Sequence, residues 1–347
     1  MSCIAVVPAH RAAHTLAATL DSLLEDNGDF VERVIVVTSV ADPTAQVARR
    51  WPRVELVAAP SALSAGAARN LGRLRAGQGA DRLLFVDADC VLERGGAAAL
   101  ARELERRRVA AVSARVRRRG GGVVAWLRHA LEFKEAEGRL PAPAAWLPPS
   151  TSMMCRAAAF DRAGGFPDLW PGEDLVFAHR LRSLGEKIVL SDAVETHHLH
   201  PGGFIGMLAH QRRLGHTAAV ARSLTGMEGV TFVRHRWLVP LLAPARLVRA
   251  LSWFARSSTR ELLVLLALLP LYALGLAAWT IGFAGGARQC ARTGQAPRVG
   301  SAREGRRGTR AWSRTGGMRR LGRAGAREER ERSGACARTD APPREAC

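Results

Sequence analysis

The chain has 347 residues, 48% of them hydrophobic, so it can bury a sizeable core as one large domain or two ordinary ones. Its formal net charge of +20 indicates an anionic partner: a nucleic acid, a membrane surface or a phosphorylated substrate. Six cysteines without a Cys-x-x-Cys pair exclude a disulfide framework and a cysteine-based zinc site, and the opening MSCIAVVPAH lacks the basic segment expected of a secretory signal.

The first ninety residues alternate between short apolar runs and helical patterns. The runs predict strands at 4–7, 34–37, 54–57 and 83–86. The patterns between them predict helices at 16–24, 43–50 and 64–75. This rhythm predicts an α/β fold with a mostly parallel sheet and helices on both faces, in which ligands bind at the carboxyl ends of the strands.

The middle of the chain is more mixed. We expect strands at 111–116 and 150–155, a basic glycine-rich turn at 117–122 and a helix at 177–184. Four prolines between 140 and 149 predict an irregular loop there, because proline removes a backbone donor and fixes its own φ angle.

Two segments after residue 230 are candidates for membrane contact. Residues 262–284 carry no charge over 23 residues, a length that spans the hydrocarbon core of a bilayer and predicts a transmembrane helix. Residues 237–254 are apolar but contain Arg246 and Arg249. This second segment therefore either spans the membrane or lies in its interface with the arginines reaching the headgroups.

The last part of the chain is strongly basic. From residue 288 onwards, 16 arginines stand against 6 acidic residues, and the segment is rich in Gly and Ala and has no apolar periodicity. This composition predicts a disordered tail at 287–347. The expected organisation is a catalytic domain at 1–230, membrane-associated segments at 231–286 and the tail.

Two carboxylates, Asp87 and Asp89, follow the fourth predicted strand directly. Turns are rich in Asp because of local hydrogen bonding, so the pair can be an ordinary surface turn. Residues i and i+2 of an extended chain point the same way, however, and two carboxylates on one side can bind a hard cation. Mg²⁺ and Mn²⁺ prefer such oxygen ligands and share them with substrate phosphates.

Three further segments carry polar groups. SALSAGAARNLG (61–72) contains Arg69 and Asn70 after a run of small residues that lets a phosphate or a sugar approach the backbone. Glu173 and Asp174 begin a predicted helix, either as acids favoured by the helix dipole or as a general base. The histidines of THHLHPGG (196–203) are either polar loop residues or a source of one more ligand for the predicted cation.

These segments occur in an order that resembles family 2 glycosyltransferases of the GT-A fold. The similar segments are VVPAHRAAHTLAATLDSL (6–23), SAGAARNLG, FVDADC, STSMMCRAAAFDRAGGFPD (150–168), GEDLVFAHRLRSLG (172–185) and HLHP (198–201). The resemblance extends over about residues 4–215. It implies a GT-A fold, a nucleotide-sugar donor, Mg²⁺ or Mn²⁺ as cofactor, and inversion at the anomeric carbon.

The resemblance also implies roles for individual residues. Asp174 is the expected catalytic base. The expected metal ligands are Asp87, Asp89 and His198. The expected donor-binding residues are Pro8, His10, Thr38, Asp42, Arg69, Asn70 and Asp87. The expected acceptor-side residues are Glu173, Gln211 and Arg212.

Two departures from the family pattern refine these expectations. Thr38 and Ser39 stand where acidic residues usually read the nucleotide base, and 211–214 lacks the tryptophan of processive synthases, which favours transfer of a single sugar. We expect a lipid-borne acceptor at the cytoplasmic face of the cell membrane, and no specific nucleic acid partner. The alternatives are a catalytically silent membrane scaffold with the same fold and a nucleic-acid-binding protein driven by the basic tail.

Overall fold

Eight strands form one mixed sheet in this computed structural model, which describes residues 2–120, 122–141, 146–200 and 202–293. The strands are β1 (Cys3–Pro8), β2 (Val31–Ser39), β3 (Val54–Ala59), β4 (Arg82–Val86), β5 (Cys90–Leu92), β6 (Ala111–Arg118), β7 (Ser152–Arg156) and β8 (Ile188–His198). Their order is β3-β2-β1-β4-β7-β6-β8-β5. Strands β7 and β5 run antiparallel to their neighbours and the other neighbouring pairs are parallel, which confirms the mostly parallel sheet.

Helices cover both faces of this sheet, as predicted. The helices in the described part of the chain are α1 (Leu16–Leu24), α2 (Thr44–Ala48), α3 (Ala65–Ala76), α4 (Gly96–Arg106), α5 (Val123–Glu132), α6 (Ala157–Arg162), α7 (Glu173–Ser183), α8 (Phe204–Thr225), α9 (Val230–Arg234), α10 (Leu242–Ser257), α11 (Thr259–Ala267) and α12 (Leu269–Arg292), with a 3₁₀ helix at Arg236–Leu241. Helices α1, α2 and α4 pack on one face, and α3, α6 and α7 pack on the other.

Alternation along the strands explains this two-sided core. Ala5 and Val7 of β1 belong to the cluster that contains α1 and α4, whereas Ile4 and Val6 belong to the cluster that contains α3 and α7. Successive side chains of a strand point to opposite faces of the sheet. A β1 that is apolar at every position is therefore buried on both sides, and its carboxyl end is left as the place where polar groups can collect.

The predicted strands of the first half are all present, and so is the return to the sheet at 152–156. Strand β6 continues two residues into the segment predicted as a turn at 117–122, because Arg117 and Arg118 pair with β8. Helix α7 begins at Glu173, where the two acids predicted a helix to begin, and it continues through the helical pattern expected from residue 177. Strands β5 and β8 and helices α4 and α5 had no predicted counterpart.

The predicted transmembrane helix at 262–284 is divided in two, which corrects that prediction. Helix α11 ends at Ala267 and α12 begins at Leu269, with Pro270 in its first turn. Proline fits the first turn of a helix, where its missing N–H needs no partner, but it breaks the hydrogen-bond ladder of an interior. In the described residues, two helical segments are long and apolar enough to cross a membrane, Arg236–Ser257 and Leu269–Arg292.

Helix α12 packs closely along α8 through glycines. A Cβ atom at Gly282 would lie 1.9 Å from the Arg212 carbonyl oxygen, and one at Gly215 would lie 1.8 Å from the Trp279 carbonyl oxygen. The described helices after residue 230 thus share one compact unit with the sheet, and the functional division at 230 stays a prediction.

The start of the predicted tail needs a correction. Helix α12 continues to Arg292, and Ala287 and Cys290 are buried against its neighbours, so packing keeps residues 287–292 helical. The predicted disorder of the remaining tail concerns residues from 294 onwards, which lie outside the described residues.

Candidate active site

A cavity of about 1110 Å³ opens at the carboxyl ends of β1, β2 and β4. Pro8 and Thr38 line it on the β1–β2 side, and Asp87 and Asp89 line it after β4. On the opposite side its wall is formed by α7 and α8. This position agrees with the expectation that a ligand binds where the parallel strands end.

Strand pairing brings His198 to the Asp-x-Asp segment. Cys90 of β5 pairs with His198 of β8, which leaves 3.7 Å between Asp89 Oδ1 and His198 Nε2. Asp89, Cys90 and His198 each offer one possible metal-ligand atom, and these three atoms lie within 4.8 Å of one another. A carboxylate and an imidazole at this spacing, with the Asp87 carboxylate next to them, fit a divalent cation.

Burial controls the protonation of these groups. Desolvation raises the pKa of Asp87 to about 7, although the nearby Arg69 opposes the shift. Desolvation lowers the pKa of His198, so its ring is neutral at physiological pH, which is the form that binds metals. The Cys90 thiol has its pKa raised by burial and then by Asp89, so it keeps its proton. The site is therefore suited to oxygen and imidazole ligands rather than to a thiolate.

Arg69 joins the two carboxylate motifs. Its side chain is 2% exposed, and its two terminal nitrogens lie 2.5 Å from Asp87 Oδ1 and 2.5 Å from Glu173 Oε1. Burial disfavours the charge of Arg69, but Asp87 and Glu173 outweigh it and raise the pKa of Arg69 further. These ion pairs make Arg69 a positioning residue for Asp87 and Glu173. Arg69 also lines the cavity, so its predicted contact with the donor stays a prediction.

Asp174 and Glu173 have separate surroundings at the start of α7. Gly172 ends the preceding loop with a φ of 100°, a backbone conformation that residues with a side chain rarely adopt. Glu173 is buried against Arg69, whereas Asp174 lines the cavity and accepts a hydrogen bond from the Leu175 N–H. Desolvation, followed by the charge of Glu173, raises the pKa of Asp174 to about 6. Asp174 is thus an ionised carboxylate at pH 7 with a proton affinity useful to a general base.

The sequence model of glycosyl transferase family 2 matches residues 4–164, which include β1 to β4 and the Asp-x-Asp segment. This match identifies residues 4–164 as a family 2 glycosyltransferase domain. No curated protein sequence matches it.

Two solved structures are similar to this glycosyltransferase. The mannosyltransferase PcManGT from Pyrobaculum calidifontis, in complex with GDP-Man and Mn²⁺, is 19% identical, with 83% of this chain and 86% of that chain covered and a TM-score of 0.54. The S. aureus TarS fragment 1–349 is 18% identical, with 85% and 92% covered and a TM-score of 0.47. At such low identity, the likeness to PcManGT supports the GT-A fold alone, and the predicted fold is confirmed.

The β1–β2 end of the cavity contains three of the residues predicted to bind the donor. Pro8 and His10 line it, and so does Thr38, whose buried hydroxyl has no hydrogen-bond partner in the described residues. A buried hydroxyl without a partner is costly unless a ligand provides one. Thr38 is therefore suited to contact a bound nucleotide.

Asp42 is placed differently from its prediction. Its Oδ2 accepts the Arg11 N–H at 2.7 Å and lies 3.0 Å from His10 Nδ1, while its Oδ1 accepts the Thr44 N–H. Burial would raise the pKa of Asp42, but these hydrogen bonds lower it below its usual value. Asp42 does not line the cavity; it fixes the loop that carries His10.

Asn70 also acts away from the cavity. Its Nδ2 donates to the Phe166 carbonyl at 2.8 Å, and its Oδ1 accepts the Phe166 N–H at 2.9 Å. Both ends of the amide therefore clamp the loop that precedes α7. The predicted contact of Asn70 with the donor is replaced by this structural role, because helix α3 points Asn70 towards the loop and Arg69 towards the cavity.

Of the residues predicted for the acceptor side, Gln211 lines the cavity and its Nε2 donates to Glu132 at 2.6 Å. Arg212 is exposed and does not line the cavity, so its predicted acceptor role is not supported. One residue along α8, Arg213 does line it, with its guanidinium 5.4 Å from the centre of the Trp170 ring. A helix turns by about 100° per residue, and this offset separates the two arginines.

Sequence reasoning missed Trp170, Arg213, His210 and Glu132 in this wall. Trp170 had a usable signal in the sequence, because it is a large aromatic residue two positions before the GED segment. In the structure its side chain is 49% exposed and its ring lies 6.2 Å from that of His210. The others had none, since their approach to the cavity depends on how α5 and α8 pack.

Proposed function

We propose that this glycosyltransferase moves a single sugar from a nucleotide-sugar donor to an acceptor at a membrane, with inversion at the anomeric carbon and with Asp174 as general base. The main supporting observation is that Asp174 and the Asp87–Asp89 pair face one cavity, with Arg69 and Glu173 fixing their relative position. A base and a diphosphate site at opposite ends of one cavity fit an in-line displacement.

Donor binding is assigned to the β1–β2 end of the cavity. Thr38, Pro8 and His10 offer contacts for the nucleoside there. PcManGT was solved with GDP-Man and Mn²⁺, which supports a nucleotide sugar and a divalent cation for this chain as well. Asp89, His198 and Asp87 would hold Mg²⁺ or Mn²⁺, which when bound would neutralise negative charge on a departing diphosphate.

Asp174 takes the proton of the acceptor hydroxyl in this proposal. Its pKa of about 6 leaves it ionised at neutral pH and close to the pH at which a base works best. Glu173 does not take this role because its carboxylate is paired with Arg69. Attack from the Asp174 side and departure on the Asp87 side would invert the anomeric carbon.

Membrane attachment is assigned to the C-terminal helices. Large apolar side chains are exposed along them: Trp237 by 76%, Val248 by 61%, Leu263 by 61% and Ile281 by 58%. An apolar surface of this kind favours contact with lipid. We propose that the enzyme lies at the cytoplasmic face of the cell membrane, where activated sugars are made, and that its acceptor is lipid-borne.

The variant Asp174→Asn tests the proposed reaction. A panel of nucleotide sugars with Mn²⁺ is first screened by thermal shift, because a ligand that binds the native state raises its stability. With the donor found, the variant should bind it normally and lose about 10²–10⁴-fold in turnover. Asp29→Asn, at an exposed aspartate outside the cavity, is the matched control.

Two outcomes would contradict the proposal. Near-normal turnover of Asp174→Asn would show that Asp174 only stabilises the start of α7. Binding of a donor by the wild type without any transfer or hydrolysis would favour the silent scaffold with the same fold.

A further inference from the structure

The cavity extends past Asp174 into a basic branch between α8, α10 and α12. Arg222 of α8 and Arg246 of α10 line this branch, together with Trp279 of α12. The Arg246 guanidinium lies 4.2 Å from the centre of the Trp279 ring, and the buried Arg246 Nε has no hydrogen-bond partner. Arg222 donates to the Ala218 carbonyl at 2.9 Å. Within the described residues, neither guanidinium has a carboxylate within 4.0 Å.

The acids nearest to this branch are already engaged. Glu135 pairs with Lys134 at 3.1 Å and with Arg249 at 3.0 Å. Glu132 accepts a hydrogen bond from Gln211 at 2.6 Å. Positive charge in the branch therefore exceeds the negative charge available to it.

This arrangement is costly without a bound anion. Burial, and then the charge of Arg246, lower the pKa of Arg222 to about 10. Buried charges are normally paired, and two like charges beside one another repel. The stacking of Arg246 on Trp279 orients its guanidinium but does not neutralise it. An anion between the two arginines would remove the cost.

We propose that Arg222 and Arg246 form a subsite for a phosphate group on the acceptor. The planar guanidinium matches the oxygen geometry of phosphate and binds it through paired, charge-assisted hydrogen bonds. The inference rests on the proposed function, because it assigns the ligand to the acceptor end of the same cavity. It adds that the acceptor is a phosphorylated molecule and names the residues that recognise it.

Binding of inorganic phosphate to the full-length protein tests the subsite. The titration is followed by calorimetry in EDTA and without donor, so that no cation at Asp87 and Asp89 can bind the anion. Wild type should bind phosphate saturably, and Arg222→Gln and Arg246→Gln should each weaken binding about tenfold or more. Arg256→Gln is the matched control, because Arg256 is exposed on the same helix and donates to the Ser252 carbonyl.

The variants must first be shown to fold, by circular dichroism and thermal melting. Arg246→Lys keeps the charge and should bind with intermediate affinity, which gives a readout even where Arg246→Gln is unstable. The subsite is ruled out if wild type shows no saturable binding, or if the affinities of both Gln variants equal that of Arg256→Gln.

A second titration identifies the source of the phosphate. Farnesyl phosphate binding more tightly than inorganic phosphate, with the same loss in Arg246→Gln, would assign the subsite to a lipid-borne phosphate. Equal affinities would assign it to a soluble phosphorylated acceptor. Farnesol binding as tightly as farnesyl phosphate would overturn the subsite. These measurements use neither donor nor cation, so they stand independently of the Asp174→Asn result.

Discussion

Arg69 shows how a single side chain can connect two motifs, because it contacts Asp87, 18 residues along the chain, and Glu173, 104 residues along the chain. It is nearly inaccessible, its partner Glu173 is buried, and its partner Asp87 is partly exposed to the cavity. Removal of one partner from a buried ion-pair network leaves uncompensated charge, which costs far more than the intact pair contributes. The geometry of the site therefore depends on the ion pairs of Arg69 with both motifs.

Replacement of Arg69 by Gln should lower the free energy of unfolding by about 3–5 kcal/mol, because the buried Glu173 carboxylate loses its counter-charge and the partly exposed Asp87 loses its partner. Urea denaturation at neutral pH measures this loss. Arg75→Gln, on the exposed side of the same helix, is the control and should cost about 1 kcal/mol or less. Equal losses in the two variants would contradict the bridging role.

The raised pKa of Asp174 gives a second prediction at this scale. The folded protein binds the Asp174 proton more tightly than the unfolded chain does, so protonation of Asp174 stabilises the fold. This contribution is complete below about pH 4 and is lost as the pH rises through about 6. At pH 8 the free energy of unfolding of Asp174→Asn should therefore exceed that of the wild type by about 1–3 kcal/mol. At pH 4 the difference should vanish, and a difference independent of pH would show that Asp174 is not desolvated.

Among the individual residues, those fixed by a motif were predicted best. Asp87, Asp89, His198 and Asp174 all line the cavity, as the resemblance implied. Asp42, Asn70 and Arg212 were assigned to the site as well, but their side chains point to a loop or to solvent. Sequence spacing gave their position along the chain, whereas the direction of each side chain follows from tertiary packing.

At the scale of elements, β5 matters more than its three residues suggest. It has too few residues to show a period, so no pattern in the sequence predicts it. Its pairing with β8 nevertheless sets the register that brings His198 to Asp89. Long parallel strands were predictable because β1, β2 and β4 are apolar at successive positions, and the short antiparallel additions were not.

His198→Gln should weaken metal-dependent donor binding about tenfold or more while leaving the fold intact, because it removes one ligand and its geometry. A Mn²⁺ titration in the presence of donor measures the effect. His197→Gln is the control, since alternation along β8 points His197 to the other face of the sheet. Equal Mn²⁺ affinity in the two variants would remove His198 from the metal site.

The glycines between α8 and α12 give a prediction about helix packing. Gly282→Ala places a Cβ atom where the Arg212 carbonyl lies, and we expect a loss of about 1–3 kcal/mol in unfolding free energy. Gly285→Ala is the matched control three residues along, where the nearest contact is an ordinary 3.7 Å. It should be neutral or stabilising by about 1 kcal/mol, because Ala favours a helix. Thermal melting of both variants decides whether the helices pack this closely.

At the scale of the whole molecule, the C-terminal helices expose apolar side chains while their other sides pack against α5 and α8. Vesicle flotation should recover the wild-type protein with lipid, and a Trp237→Glu, Leu263→Glu double variant should stay unbound, because both side chains are largely exposed. Leu74→Glu, at an exposed leucine of α3, is the control and should float like wild type. If alkaline carbonate extracts the wild-type protein from membranes, the attachment is interfacial rather than spanning. If the wild-type protein does not float with vesicles, the proposed membrane attachment is wrong.

The close contact between α8 and α12 has a consequence for how the enzyme chooses among acceptors. With the bilayer against α10–α12, no flexible linker separates the lipid surface from Asp174, because the helices and the sheet form one compact unit. The reaction then takes place at a fixed height above the headgroups. If the proposed membrane attachment holds, the enzyme would glycosylate hydroxyls that project from the membrane by the matching length and would not react with chemically identical groups on shorter or longer carriers.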